Sequence, residues 1–439
     1  MSSADLPAAD LPAAGPPAAD PPAAGVTVGP GSAARAGYRE VLGVPEFRAI
    51  FVADVVSMLG NVVAAVALTV LVYQQTRSPA LAASVMALSF LPYAVGGLLF
   101  GAAADRMRPR RLLVAGDLAS GALIGCMLIP AMPLAGLLLL LLGTGLIAPV
   151  YQSVRSALLP EILPPGPRYI LGRSMMRMVA QSAQIVGYGL GGLLLAVLSP
   201  RAALAADAAS FAASALLLRL GVRSRAPRAA GIGSMARDSL AGLRDVLAHR
   251  ATRRVLLFVW LVPACAVAPE ALAAPYAVHI GQPARAAAFL LIGLPAGTVL
   301  ADIVAARLLP ARWQRRIMLP AALFTFACLA GLAASPPLIP AMALLAAAGL
   351  GTAWGAGIDG LLLDAAPVEL RNRALAAMTA GLLFIQGVGF ALWGLAGQFA
   401  PVTIVIPAAA VLGAVVVLLV RPGRGGPAGR AGRTGGSGG

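Results

Sequence analysis

The sequence contains no lysine, two histidines, three cysteines and few charges: 11% of its 439 residues are Asp, Glu, Lys or Arg. Each scarcity excludes something. A water-soluble chain of this length would carry about a quarter charged residues, so a chain 59% hydrophobic, with mean hydropathy +0.86, cannot cover its surface in water. Without lysine there is no phosphate-binding Gly-x-x-x-x-Gly-Lys-Ser/Thr loop, and an ATP-driven pump is not expected from this polypeptide. His249 and His279 are far apart and have no partner at metal-ligand spacing, so neither metal nor cofactor is expected. Cys126, Cys265 and Cys328 each fall inside an apolar run and read as small core hydrophobes. No enzymatic motif is found.

What is abundant is apolar length. Runs of roughly 20 residues, long enough to cross a bilayer as helices, are placed at 49–73, 80–104, 112–132, 134–156, 175–198, 202–220, 255–278, 286–308, 317–334, 338–361, 375–398 and 402–420. The expected fold is an all-α integral membrane protein of about twelve transmembrane helices in two pseudo-symmetric six-helix halves. The formal charge of +16 comes entirely from arginine, and its location matters more than its sum. With the N-terminus in the cytoplasm, thirty of the 33 arginines fall in inside segments and only Arg77, Arg201 and Arg285 outside. That asymmetry is the signature of membrane topology, and it argues against a nucleic-acid partner. A multi-pass protein of the cytoplasmic membrane is expected, with both termini cytoplasmic and the lipid bilayer as its solvent.

Five regions follow. Residues 1–34 form an Ala/Pro-rich tail with a loose LPAAD-type repeat and are expected to be disordered; the tail lacks the basic and apolar regions of a signal peptide. Residues 45–220 form a first six-helix bundle, 221–253 a basic cytoplasmic linker, 254–420 a second bundle and 421–439 a Gly/Arg-rich tail. Leu240, Leu243 and Leu247 share a helical face in the linker, which predicts a short helix on the membrane surface. The halves repeat a pattern: Gln184-x-x-Gly187-x-Gly189 and Gln386-x-x-Gly389-x-Ala391. Two like halves suit a transporter that rocks one bundle against the other around a central site.

One cytoplasmic loop carries Gly101-Ala-Ala-Ala-Asp105-Arg106-Met-Arg108-Pro-Arg110-Arg111. Gly101 allows close helix approach, Asp105 can cap a helix or pair with arginine, and the arginines hold the loop at the inner surface. Here the chain resembles the major facilitator superfamily, whose loop between helices two and three runs Gly-x-x-x-Asp-Arg-x-Gly-Arg-Arg. Gly101, Asp105, Arg106 and Arg110 match, while Arg108 and Pro109 depart. The resemblance implies a gating role for this loop, with Asp117 beside it. Ser57-Met-Leu-Gly60-Asn61, Asp207-Ala-Ala-Ser210-Phe211 and Pro367-Val-Glu-Leu-Arg371-Asn-Arg373 resemble the drug and siderophore exporter branch, similar to the enterobactin and macrolide efflux proteins. Gly187-Tyr188-Gly189-Leu190-Gly191-Gly192 resembles the exporters' antiporter motif Gly-Pro-x-x-Gly-Gly, with Tyr188 in place of proline.

Carboxyls inside a bilayer are costly and therefore point to function. Asp54, Asp117, Asp207, Glu270, Asp302 and Asp359 fall within apolar runs, and the run at 134–156 has no arginine before Arg155 at its end, so no base is expected at mid-depth. Asp54 and Glu270 are the candidate proton carriers. Asn61, Gln184, Tyr188, Trp260, Gln386 and Trp393 are candidates for lining a substrate cavity. The expected function is export of small, largely apolar molecules (drug or metabolite efflux) by alternating access with proton antiport, so that the partners are a small-molecule substrate and protons. Import or facilitated passage of a small metabolite, or a transport-inactive membrane sensor or assembly partner, are the alternatives.

Overall fold

Proline punctuates this chain and sets where its helices begin. A proline at the first helical position loses no hydrogen bond, because that N–H has no partner anyway, and its ring already holds a helical φ. Pro45, Pro79, Pro109, Pro167 and Pro200 each open a helix in this way. The computed structural model describes residues 37–105, 107–130, 132–164, 166–226, 243–308 and 310–421. The two expected tails therefore lie outside the described residues.

After a short helix, Tyr38–Leu42, six long helices follow: Pro45–Thr76, Pro79–Asp105, Pro109–Cys126, Leu134–Ile162, Pro167–Val197 and Pro200–Gly221. The seventh begins as Arg250–Ala266, with Pro263 inside it, and continues through short pieces, Ala268–Ala271 and Ala273–His279. The eighth and ninth are Ala287–Leu308 and Ala311–Ala330. The tenth runs Leu338–Gly351, relaxes to a 3-10 turn over Thr352–Gly357 and resumes at Ile358–Ala365. Arg371–Phe399 and Val402–Leu419 complete the twelve. Among the described residues nine of these segments are long and apolar enough to cross a membrane, and there is no strand. A helix satisfies its backbone polar groups internally, which a bilayer requires.

The packing repeats with a period of six helices. The first helix packs on the fifth and sixth, as the seventh does on the eleventh and twelfth. The second packs on the fourth as the eighth does on the tenth, and the third packs on the fourth and sixth as the ninth does on the tenth and twelfth. Gly187 lies against Val62 of the first helix, where a methyl group would come within 2.7 Å of the valine. Its counterpart Gly389 lies against the seventh helix, where a methyl would come within 2.7 Å of the Ala264 carbonyl oxygen. The repeated Gln-x-x-Gly pattern thus marks the same close approach in both halves.

The halves meet through the second and eleventh helices and through the fifth and eighth. With the face where the first helix begins called the near face, the opposite one is the far face, and several of the described contacts lie toward it. Ser78 Oγ donates to Gln398 Oε1 at 2.8 Å, Ala83 touches Gly394, Phe90 stacks on Phe390 with centroids 5.5 Å apart, and Gly192 abuts Ala288 and Phe289.

On the near face, Arg225 joins the start of the linker to the first bundle. Its guanidinium bonds Glu46, with Nη2 to Oε2 at 2.9 Å, and its Nε lies 3.1 Å from Glu161. The Arg223 N–H donates to Glu46 at 3.0 Å. The hydrogen bond that Arg225 donates to Glu46 raises the Arg225 pKa above its ordinary value. Residues 243–248 are helical, and Val246 packs with Val255, Leu256, Leu362, Ala366 and Ala374 of the second bundle. The linker's leucine face, expected on the membrane surface, therefore turns toward protein at Leu247; Leu240 lies outside the described residues.

Candidate functional site

A cavity of about 300 Å³ lies within the first six helices. Polar side chains reach it from the first, third, fourth and sixth, and Ser89 from the second. The first helix contributes Asp54, Ser57 and Asn61; the third Asp117 and Ser120; the fourth Thr144, Tyr151, Gln152 and Arg155; the sixth Asp207. Tyr188 enters from the glycine-rich stretch of the fifth.

Arg155 forms an ion pair with Asp54, and both are buried, at 7% and 6% exposure. Arg155 Nη2 also donates to Gln152 Oε1 at 2.9 Å, and its guanidinium lies 5.0 Å from the Tyr151 ring centroid. Asp54, for which no base at mid-depth was expected, thus has a basic partner, in the near-face half of both helices. The fourth helix does not end at 156 but continues through Pro160 to Ile162. Arg155 therefore sits about two turns inside it rather than at its end. Residues 151, 152 and 155 share one helical face, a signal the sequence carried in the i, i+3, i+4 spacing.

Asp117 is 2% exposed and lies beside Tyr151 and Ser214. Asp207 is 1% exposed and accepts from Ser210 Oγ at 3.2 Å. The Oδ2 atoms of both have no hydrogen-bond partner among the described residues. Gly60 allows this arrangement, because a side chain there would collide with Asp207 and Ser210. Two stretches singled out in the sequence, Gly60-Asn61 and Asp207-Ala-Ala-Ser210, are thus the two sides of one contact.

Other candidate residues stand elsewhere. Glu270 falls in the broken part of the seventh helix, half-buried, near Tyr188 across the interface between the halves. Trp260 donates its indole N–H to the Met378 carbonyl at 3.1 Å, and Trp393 donates to the Ala264 carbonyl at 2.7 Å. Both tryptophans thus bind the seventh helix to the eleventh, away from the cavity. Gln386 is half-buried on the eleventh helix, and the Gln184 side chain lies outside the described residues. Of the expected gating loop, Arg106, the Asp105 side chain and the surroundings of Gly101 lie outside them as well. Arg110 Nη1 reaches the Val222 carbonyl at 3.5 Å, and Asp117 belongs to the cavity wall. His249 bonds Thr252, His279 bonds Ser335 at 3.0 Å, and no group of three metal-ligating side chains occurs among the described residues.

The chain is similar to solved transporters of the same architecture. A POT family transporter in complex with 5-aminolevulinic acid superposes with a TM-score of 0.67 at 9% identity, covering 88% of this chain and 97% of that one. A bacterial homolog of the human lysosomal transporter Spinster, inward-facing and unoccupied, gives 0.65 at 14% identity over 88% and 96%. A variant of the nucleoside transporter NupG gives 0.65 at 12% over 85% and 98%. At these identities the likeness establishes the fold alone. No curated protein matches the sequence. The family model described as Major Facilitator Superfamily matches residues 50–359, most of the helical region, and with twelve helices repeating their packing every six, this chain belongs to that superfamily of membrane transporters.

Proposed function

We propose that this transporter exports small, largely apolar molecules across the cytoplasmic membrane by alternating access, in exchange for protons. The observation that carries the reading is the Asp54–Arg155 pair in the wall of a cavity. A buried pair is tolerated only while both partners stay matched. Protonation of Asp54 releases Arg155, so proton binding is linked to the packing of the first helix against the fourth. The glycine-rich fifth helix supports the same reading. Gly187 and Gly191 face the first helix, and Gly189 and Gly192 face the eighth across the interface, so this helix can slide closely against both. Glu270, beside Tyr188 at that interface, is the second candidate proton carrier.

The test is proton flux in inside-out membrane vesicles holding a preset pH gradient. A panel of hydrophobic compounds is added one at a time, beside empty membranes. The expected result is compound-specific, protein-dependent collapse of the gradient, abolished by Asp54→Asn and reduced by Glu270→Gln. Transport unchanged in both variants at equal expression would remove these carboxyls from the mechanism.

A second reading is uptake or facilitated passage of a small polar metabolite. It is favoured by the similar folds of a peptide transporter and a nucleoside transporter. Flux of labelled compound that needs no gradient and runs only downhill would establish it.

A further inference from the structure

We infer that the near-face end of the ninth helix is a binding site for an anionic phospholipid, whose headgroup is held by Arg316 and Trp313. The inference goes beyond the transporter reading and depends on neither the cargo nor its direction.

The four tryptophans do not share one environment. Trp260 and Trp393 donate their indole N–H groups to backbone carbonyls. Trp354 is buried, edge-on to Phe258 with centroids 5.4 Å apart. Trp313 alone is exposed, at 46%, and the Arg316 guanidinium lies over its ring, 5.5 Å from the centroid. An indole is at home at a membrane boundary, where its ring meets apolar chains and its N–H meets polar groups.

The packing of the ninth helix places both residues at that boundary. The helix lies on the tenth and twelfth and buries Met318, Ala322, Thr325, Phe326 and Leu329. Trp313, Arg316, Pro320, Phe324 and Ala327 are exposed. Their spacing of three, four, four and three residues puts them on one helical face, opposite the buried one. Past Arg316 this exposed face is apolar, as a face against acyl chains must be. Phe324 lies about 12 Å further along the axis, at 1.5 Å per residue. The stripe thus runs from the depth of the acyl chains up to an arginine and a tryptophan at the level of the headgroups.

Charge selects an anionic headgroup. Residues 301–316 hold Arg307, Arg312, Arg315 and Arg316 against one acid, Asp302. The helix starts behind Pro310, with no side-chain cap and no acid in its first turn, so the positive end of its dipole adds to the arginines. Gln314 Nε2 donates to the Ala305 carbonyl at 3.2 Å and fixes this start against the eighth helix. A phosphodiester brings oxygens for a guanidinium and an indole N–H, and its acyl chains continue along the apolar stripe. A soluble phosphate would leave that stripe unused. The matching start of the third helix, Pro109-Arg110-Arg111, has charge but no aromatic residue, and its Arg110 reaches the Val222 carbonyl.

The test is native mass spectrometry of the purified full-length protein in detergent, titrated with dioleoyl phosphatidylglycerol or dioleoyl phosphatidylcholine. The first phosphatidylglycerol is expected to bind at least about fivefold more tightly than the first phosphatidylcholine, the factor one arginine contributes near an anionic surface. Arg316→Gln is expected to remove that preference, and Trp313→Ala to weaken binding of both lipids. Arg111→Gln, at the start of the third helix, is the control expected to change nothing. Millimolar glycerol 3-phosphate is expected not to displace the lipid. Equal affinities for the two lipids overturn the inference. So does an equal loss in Arg111→Gln and Arg316→Gln, which would mean a diffuse basic surface. Displacement by glycerol 3-phosphate would make this a site for soluble phosphates and overturn the lipid assignment. If Arg316→Gln does not fold, the lipid preference of the unaltered protein and its loss in Arg316→Ala decide.

Discussion

Arg155 of the fourth helix reaches across to Asp54 of the first, and together they form a buried ion pair inside the first bundle. Removing one partner strands the other, which in protein interiors costs about 3–5 kcal/mol. Asp54→Asn and Arg155→Gln are each expected to lower the melting temperature of the purified protein markedly. The double variant, with neither charge left, is expected to be more stable than the sum of the two losses implies. Strict additivity in that cycle would mean that the two side chains do not interact in the folded protein.

Gly60 sets how closely the first helix meets the sixth, since a side chain there would strike Asp207 and Ser210. Gly60→Ala is expected to destabilise by about 1–3 kcal/mol, the usual cost of overpacking. Gly125, near the end of the third helix, has open space where a methyl would go. There Gly→Ala is expected to be neutral or to stabilise by up to about 1 kcal/mol through helix propensity. Thermal unfolding of the two single variants side by side checks both signs, and equal effects would refute the contact.

These contacts mark how far the sequence could be read. Apolar length and the placement of arginine were enough to find twelve helices, because both follow from the bilayer alone. The Gln-x-x-Gly repeat was visible too, and it proves to be one close approach used twice, at Gly187 and Gly389. Helix ends were less legible. Hydropathy falls at Pro160 and Glu161 although the helix continues to Ile162. Conversely the third helix ends at Cys126, several residues before its apolar run does. The breaks in the seventh and tenth helices follow prolines and glycines that hydropathy averages away. Each acid of the cavity stood out alone, but their grouping did not. Whether Asp54, Asp117 and Asp207 face one another depends on how three helices are rotated about their axes, and only packing fixes that.

Trp260 and Trp393 are exchanged between the seventh and eleventh helices, each donating its indole N–H to a backbone carbonyl of the other. The glycines that let these helices approach are Gly381, under the Trp260 ring, and Gly389, against Ala264. Trp393→Phe keeps much of the ring and loses the donor, for an expected cost of about 1 kcal/mol. Trp393→Ala also leaves a cavity and is expected to cost about 3–5 kcal/mol. Unfolding measured by intrinsic fluorescence or calorimetry separates the two. If the phenylalanine variant lost as much as the alanine variant, the hydrogen bond would outweigh the packing.

Ser78 and Gln398 join the two halves at the far face, next to the contact of Ala83 with Gly394. Alternating access requires these contacts to part in every cycle. A protein with its three native cysteines replaced, and with cysteines introduced at 78 and 398, can be bridged there by a short reducible thiol crosslinker. Bridging is expected to stop transport while leaving the protein folded, and reduction is expected to restore it. The same treatment of either single-cysteine protein is expected to have no effect. Transport that continues at full rate through a complete crosslink would show that the halves do not separate at this face, and the route of the substrate would have to lie elsewhere.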